Sequence, residues 1–460
     1  MKLLAFLMQT GGHIAGWRHP DAQTRALTDI AYFRQCAAAA ERGLFDAVFI
    51  ADSVGYPPAK SVDTFACLET PKLDPASIIA YLCATTSRIG FICTASTSYS
   101  QPYELARRLA SIDHISGGRI GWNMVASTME NEAHNFGRTA HYGHTERYER
   151  AEEFVAVAKR LWDSWEDGAM IADKASGRYV DPARLHGVDY RGDHFAVAGP
   201  LNVPRGPQGH PVLVQAGASD TGKRFAARHA EVIFTSHPSP DTARAFRAEM
   251  HDLLAEVGRA PESLKIMAAI TPIVAPTREE AQAIQRELDA LIPTPVAIGK
   301  LEGLLGNFDL SGHDPDGPLP DVPQSTLSQS TWEQVVGLAR RENLSIAELA
   351  RRVAAGRTSR SIAGTAAEIA DELQHWHESG AADGFVITPA YLPAGLEAFV
   401  EGVVPELQRR GLFRKEYEGQ TLRDRLGLAR PANGYAAGEY AHVQPEIWPT
   451  PESLPTKGDA

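Results

Sequence analysis

The chain has 460 residues, of which 43% are hydrophobic and 22% charged, and its 57 acidic against 45 basic side chains give a formal net charge of −12. That balance, with no long basic run, argues against nucleic acid or an anionic membrane as the main partner and leaves a small molecule as the expected one. No stretch reaches the ~18 apolar residues of a membrane span. The four cysteines (Cys36, Cys67, Cys83, Cys93) have no C-x-x-C spacing and fit structural thiols in a reduced, cytoplasmic protein.

The first apolar run, Leu3 to Met8, passes into QTGGHIAGWRHPDA, where His13, Trp17, Arg18 and His19 crowd behind two glycines. Further short runs follow at Ala47 to Ala51, Ile89 to Cys93, Ile120 to Val125, Pro211 to Gln215, Glu231 to Phe234, Leu264 to Val274 and Gly384 to Ile387. Most are nearly continuous Val, Ile, Leu and Phe, the pattern of parallel strands covered on both faces. Helical stretches lie between them: Ile30 to Arg42 before Gly43, Pro75 to Thr85 after Asp74, and Tyr103 to Ile115 before Ser116-Gly117-Gly118. Others run from Glu146 to Trp165, Asp220 to His229, Asp241 to Val257, Thr277 to Leu291, Ala366 to Ser379 and Ala394 to Arg410.

This alternation predicts an α/β fold, a TIM (β/α)8 barrel in one domain over residues 1–428, with a C-terminal extension over 429–460. Segments at about 52–74, 166–210 and 292–363 exceed ordinary loop lengths and read as insertions at the C-terminal strand ends. The third carries helices over Trp332 to Arg341 and Ile346 to Ala355 and is a candidate lid.

Polar residues gather just past several strands: Gly12-His13, Ala51-Asp52-Ser53, Trp122 to Ser127 and Gly217 to Asp220. On a barrel these converge at one mouth. GASDTGK, Gly217 to Lys223, matches the start of G-x-x-x-x-G-K-[ST], but Arg224 stands where the Mg²⁺-binding hydroxyl belongs. What survives is Ser219 with the free N–H groups of a helix start, which suits either a phosphate or a plain N-cap. His141 and His144 lack the carboxylate and H-E-x-x-H pattern of a metal site. His144 and Tyr148, at i and i+4, share a helix face and read as phosphate contacts or as a solvated helix start.

The segments GWRHPDA, AERGLFDAVFIADS, PYELARRLASIDHISGGRIGWNMVAS, HTERYERAEEF, GPLNVPRGPQGHPVLVQAGAS and VPELQRRGLFRKEYEG carry a resemblance that spans nearly the whole chain. The sequence resembles the flavin-dependent monooxygenases of the bacterial luciferase-like superfamily, in the branch that holds the nitrilotriacetate and dibenzothiophene sulfone monooxygenases and the pristinamycin synthase. The resemblance implies a TIM barrel that takes reduced FMN from a separate NAD(P)H-dependent flavin reductase. It further implies that O2 is used to insert one oxygen atom into a small organic substrate through a flavin peroxide. Carried over by position, Asp52, Thr94 and Asn123 would lie near the isoalloxazine, and Ser127, His144, Tyr148, Ala218 and Ser219 near the phosphate. His13 and Asn123 would act at the flavin and substrate, His13 as a hydrogen-bond donor, with Tyr56 and His313 on the substrate side. The expected assembly is a homodimer or homotetramer. The alternatives are a coenzyme F420-dependent oxidoreductase of the same superfamily, a metal-dependent barrel hydrolase and a non-catalytic flavin-binding protein.

Overall fold

The apolar runs form strands β1 (Lys2–Leu7), β2 (Ala47–Ile50), β3 (Gly90–Ser96), β4 (Ile120–Val125), β5 (Val212–Gln215), β6 (Val232–Thr235), β7 (Lys265–Val274) and β8 (Gly384–Ile387) of this computed structural model. It describes residues 1–23, 25–56, 61–217, 219–323, 329–355 and 360–443. Each strand pairs in parallel with the next, and β8 pairs with β1 through Lys2↔Gly384, which closes a TIM barrel.

Alternate residues explain why the runs read as continuous. Leu4, Phe6, Phe49, Ile92, Val214, Met267 and Val386 fill the barrel interior. Their neighbours Leu3, Ala5, Val48, Phe91, Leu213 and Phe385 pack outward on the helices, so neither face of a strand meets water. Local caps fix the helix starts: Asp29 accepts from the Ala31 N–H at 2.9 Å and Asp74 from Ser77 at 2.8 Å. Helix Pro102–Ser116 ends where Gly117 takes φ +67°.

The short helix Leu422–Leu426 closes the N-terminal end of the barrel, with Leu422 and Leu426 inside the interior cluster. Its Arg423 is buried and meets Glu231, Nη2 to Oε2 at 3.0 Å, and the His210 carbonyl at 3.1 Å. Beyond it, the Asn433 amide donates to the Asp163 carbonyl at 2.8 Å, and Tyr435 stacks on His186 at 4.4 Å.

The 166–210 segment holds two small hairpins, Met170–Asp173 with Arg178–Val180 and Tyr190–Arg191 with Ala196–Val197. The 292–363 segment holds helices Thr294–Leu304, Gln329–Glu342 and Ile346–Ala354, and strand Arg360–Gly364, which pairs with the far end of β7. The first of these helices escapes a sequence reading because TPVAIGKLEGL contains two glycines in its interior. Its stability comes from packing. Ile292, Leu301, Leu310, Val335 and Leu349 form a hydrophobic cluster separate from the barrel's.

Among the described residues no helix is long and apolar enough to cross a membrane. The four cysteines are unpaired. Burial pushes the Cys83 thiol up to about 11 and raises Cys36 and Cys93 further, as expected for inert packing thiols.

Candidate active site

A cavity of about 910 Å³ opens at the C-terminal ends of the strands. Its wall is built from the residues that follow successive strands: Met8 after β1, Asp52 after β2, Thr94 within β3, Ser127 after β4, and Gly217 after β5. Lys300, on helix Thr294–Leu304, reaches it from the insertion.

One end of the cavity is shaped for an anion. Two helices, His144–Asp163 and Asp220–His229, bring their N-termini there, where unpaired N–H groups and the helix dipole favour negative charge. Ser219 caps the second helix by accepting from the Gly222 N–H at 3.2 Å. The His144 and Tyr148 rings lie 5.2 Å apart on the first. A Cβ on Gly222 would stand 2.9 Å from the Tyr148 hydroxyl and 3.1 Å from the Ser219 hydroxyl, so only glycine leaves the cradle open. The Arg147 guanidinium donates to the Ser127 carbonyl and, at 3.2 Å, to His141 Nε2. Its Nε is buried with no partner. An unmet cationic donor at two helix N-termini asks for an anion.

The other end is polar but not cationic in the same way. The Thr94 hydroxyl donates to the Ile50 carbonyl at 2.8 Å and accepts from the Asn123 amide at 3.1 Å. Since the Thr94 proton is committed to Ile50, the Asn123 Nδ2 must face Thr94. Asn123 Oδ1 is left as a buried acceptor with no partner. Asn123 stands one layer behind the cavity wall, with Thr94 in front of it. Burial raises the Asp52 carboxyl from 3.8 to about 6, in spite of the opposing charge of Lys72. The Lys72 ammonium donates to the Ser53 hydroxyl at 2.5 Å. Behind them the buried Glu132 ties the loops together, accepting from the N–H groups of Val54, Thr128 and Met129, each at 3.2 Å.

Asp52, Thr94, Ser127, His144, Tyr148 and Ser219, separated by up to 167 positions in the chain, thus share one cavity wall. Ala218 lies outside the described residues. His13, Tyr56 and His313 do not line the cavity. His13, expected to face flavin and substrate, instead turns its Nε2 to Asp289 at 3.1 Å while Nδ1 accepts from the Ala15 N–H at 3.1 Å. Asp289 sits in the last turn of helix Arg278–Ala290, where the helix dipole opposes a carboxylate and a donor is needed. Tyr56 is 58% exposed, with its ring against Phe65 at 5.9 Å. His313 is exposed on the insertion, with its ring 6.3 Å from that of Phe308.

Lys223, the apparent P-loop lysine, is held by Asp220 at 2.9 Å and by Glu249, so it has no part in the anion cradle. Among the described residues no three His, Cys, Asp or Glu side chains are grouped to hold a metal. Sequence reading passed over Arg147, Gly222, Glu132 and Lys300. Arg147 had a usable signal: it is three residues from His144 on a helix, and therefore on the same face.

Residues 6–383 match the luciferase-like monooxygenase family. Nitrilotriacetate monooxygenase component A of Aminobacter aminovorans is 48% identical, over 94% of this chain and 98% of that protein. N-acetyl-S-(2-succino)cysteine monooxygenase of Bacillus subtilis (strain 168) is 45% identical over 95% of this chain and 98% of that protein. Among solved structures, DmoA from Hyphomicrobium sulfonivorans superposes with a TM-score of 0.87 at 31% identity, covering 98% of this chain and 99% of that one.

Proposed function

This chain belongs to the luciferase-like monooxygenase family and is an enzyme of that kind, and from that premise we propose that it binds reduced FMN, delivered by a separate NAD(P)H-dependent flavin reductase, and transfers one atom of O2 to a small organic substrate. The residues present fit such a group. The cavity volume suits a ligand of that size, and its walls combine apolar side chains with a few polar ones. The observation that carries the reading is the buried, unpartnered Arg147 Nε beside two helix N-termini, a site for the one doubly charged part of FMN.

Arg147, Tyr148, Ser219 and the opening N–H groups of helix Asp220–His229 would hold the phosphate, with His144 and Ser127 at its edge. Asp52, Thr94 and, through Thr94, Asn123 would face the ring system. When bound, the reduced flavin supplies the electrons that activate O2, a chemistry no side chain here provides. The protein's part is to orient, to exclude water and to manage a proton. Asp52, with its carboxyl at about 6, takes up or releases a proton close to neutral pH at its side-chain oxygens. Asn123, one layer behind the wall, orients the Thr94 hydroxyl through its amide. Met8, Val54, Leu73 and Met124 give the cavity apolar walls that keep water from the reacting atoms.

The test is an anaerobic titration of the protein with reduced FMN, followed by admission of O2 in the presence of a flavin reductase and a panel of organic sulfur and nitrogen compounds. Saturable binding and an oxygenated product are expected. Failure to bind reduced FMN would sink the reading.

A further inference from the structure

The loop after β1 joins the barrel to the insertion that carries Lys300. On the barrel side its backbone is pinned to the end of β8: Gly12 N–H donates to the Pro389 carbonyl at 2.8 Å, and His13 N–H to Ala390 at 3.1 Å. A Cβ on Gly11 or Gly16 would fall within 2.5 Å of the Ala390 oxygen, so the loop lies too close to β8 for any other residue there. On the other side, the buried Ala15 belongs to the hydrophobic cluster of the insertion, and the Arg18 guanidinium donates to the Leu291 carbonyl. Between these contacts sits the buried His13 ring. Its Nδ1 accepts from Ala15, so its Nε2 carries the proton and donates to Asp289. The tautomer is fixed by the loop itself.

Asp289 ends the helix that leads, after Leu291 and two further residues, into helix Thr294–Leu304. That helix packs against the short helix Val62–Ala66 of the first insertion and places Lys300 in the cavity wall. A change in the angle at Asp289 would therefore swing the roof of the cavity.

We propose that His13 is a positioning residue: with Asp289 it clamps the chain leading into helix Thr294–Leu304 to the barrel and sets the roof over the cavity, instead of acting on the substrate. The consequence for catalysis rests on the flavin reading above; the clamp itself does not. The Asp289 side chain is one-third exposed, so its removal leaves no large buried hole and the arrangement can be tested there even if changes at His13 prevent folding.

The experiment measures backbone hydrogen exchange in the full-length, flavin-free protein for His13→Ala, Asp289→Ala, the double variant and His13→Gln, whose amide retains a donor. Exchange over residues 292–305 is expected to rise about tenfold in either single alanine variant. It should rise no further in the double variant, return towards wild type in His13→Gln, and stay unchanged in the barrel strands. In the FMN-loaded protein, iodide should quench flavin fluorescence more strongly in both alanine variants. If Asp289→Ala leaves exchange over 292–305 unchanged, the clamp is refuted. An activity loss confined to His13→Ala, with that exchange unchanged, would instead assign His13 to the substrate. Should FMN not bind at all, the functional reading falls while the exchange result still decides the clamp.

Discussion

The anion end of the cavity and its roof are built by different means. The anion end stands on the barrel: residues just after β4 and β5 and the first turns of two helices are placed by backbone hydrogen bonds, with a glycine where a Cβ would close the cradle. The roof stands on an insertion with its own hydrophobic cluster, joined to the barrel by β7 pairing, by Ala15 within that cluster, by helix Val62–Ala66, and by polar contacts of one buried histidine and one arginine. The first depends on fixed directions of N–H groups, and the second on how two separately packed bodies meet. Changes at the anion end should therefore cost cofactor affinity, while changes at the roof should cost order and shielding.

The contrast would be broken most clearly by Arg147→Met. Removing a charge-assisted donor at a buried anion site costs about 2–3 kcal/mol, so affinity for reduced FMN should fall roughly 30- to 150-fold by equilibrium dialysis, with little change in exchange at the roof. An equal loss of roof order would mean that the two regions are one cooperative unit.

Asp52 sharpens the same contrast through pH. Burial holds its carboxyl at about 6 in the folded protein against an ordinary 3.8, so the folded state binds this proton more tightly than the unfolded chain. Stability contributed by this group is present at low pH, declines as pH rises from about 4 to about 6, and is gone above that. Asp52→Asn should flatten this slope and raise stability at pH 7 by up to about 3 kcal/mol, measured by urea unfolding across that range. A slope unchanged in the variant would contradict the assignment.

Next in size comes the roughly tenfold rise in roof exchange on cutting His13 from Asp289. Smallest are the effects of Tyr56→Phe, His313→Ala and Lys223→Ala, whose side chains lie outside the cavity wall or are held by carboxylates. Tyr56→Phe and His313→Ala should leave reduced FMN affinity within about twofold of wild type, as surface changes away from a site usually do, and Lys223→Ala should do so because that ammonium is already held by Asp220 and Glu249. A larger loss in His313→Ala would show that the insertion closes further over bound flavin.

How much of this was legible in the sequence follows the same division. Each barrel strand announced itself as a short apolar run because parallel strands are buried on both faces; capping and helical spacing put Ser219 and the His144/Tyr148 pair at helix starts but left open whether they hold a phosphate, and only the family resemblance favoured that reading. Helix Thr294–Leu304 was not legible, since its two glycines oppose it and the packing of Ala297 and Leu301 in the insertion's cluster holds it. The orientation of His13 was also out of reach. It depends on Asp289, 276 positions away, and no local pattern reports such a pair. Arg147 could have been found from the helix face it shares with His144.

The most direct test compares reduced FMN with reduced riboflavin, which lacks the phosphate, on wild type and Arg147→Met under anaerobic conditions. Wild type should bind FMN at least about 30-fold more tightly, and the difference should shrink sharply in the variant. Equal affinity of wild type for the two flavins would contradict the account, because the paired helix N-termini and Arg147 would then not be holding a phosphate.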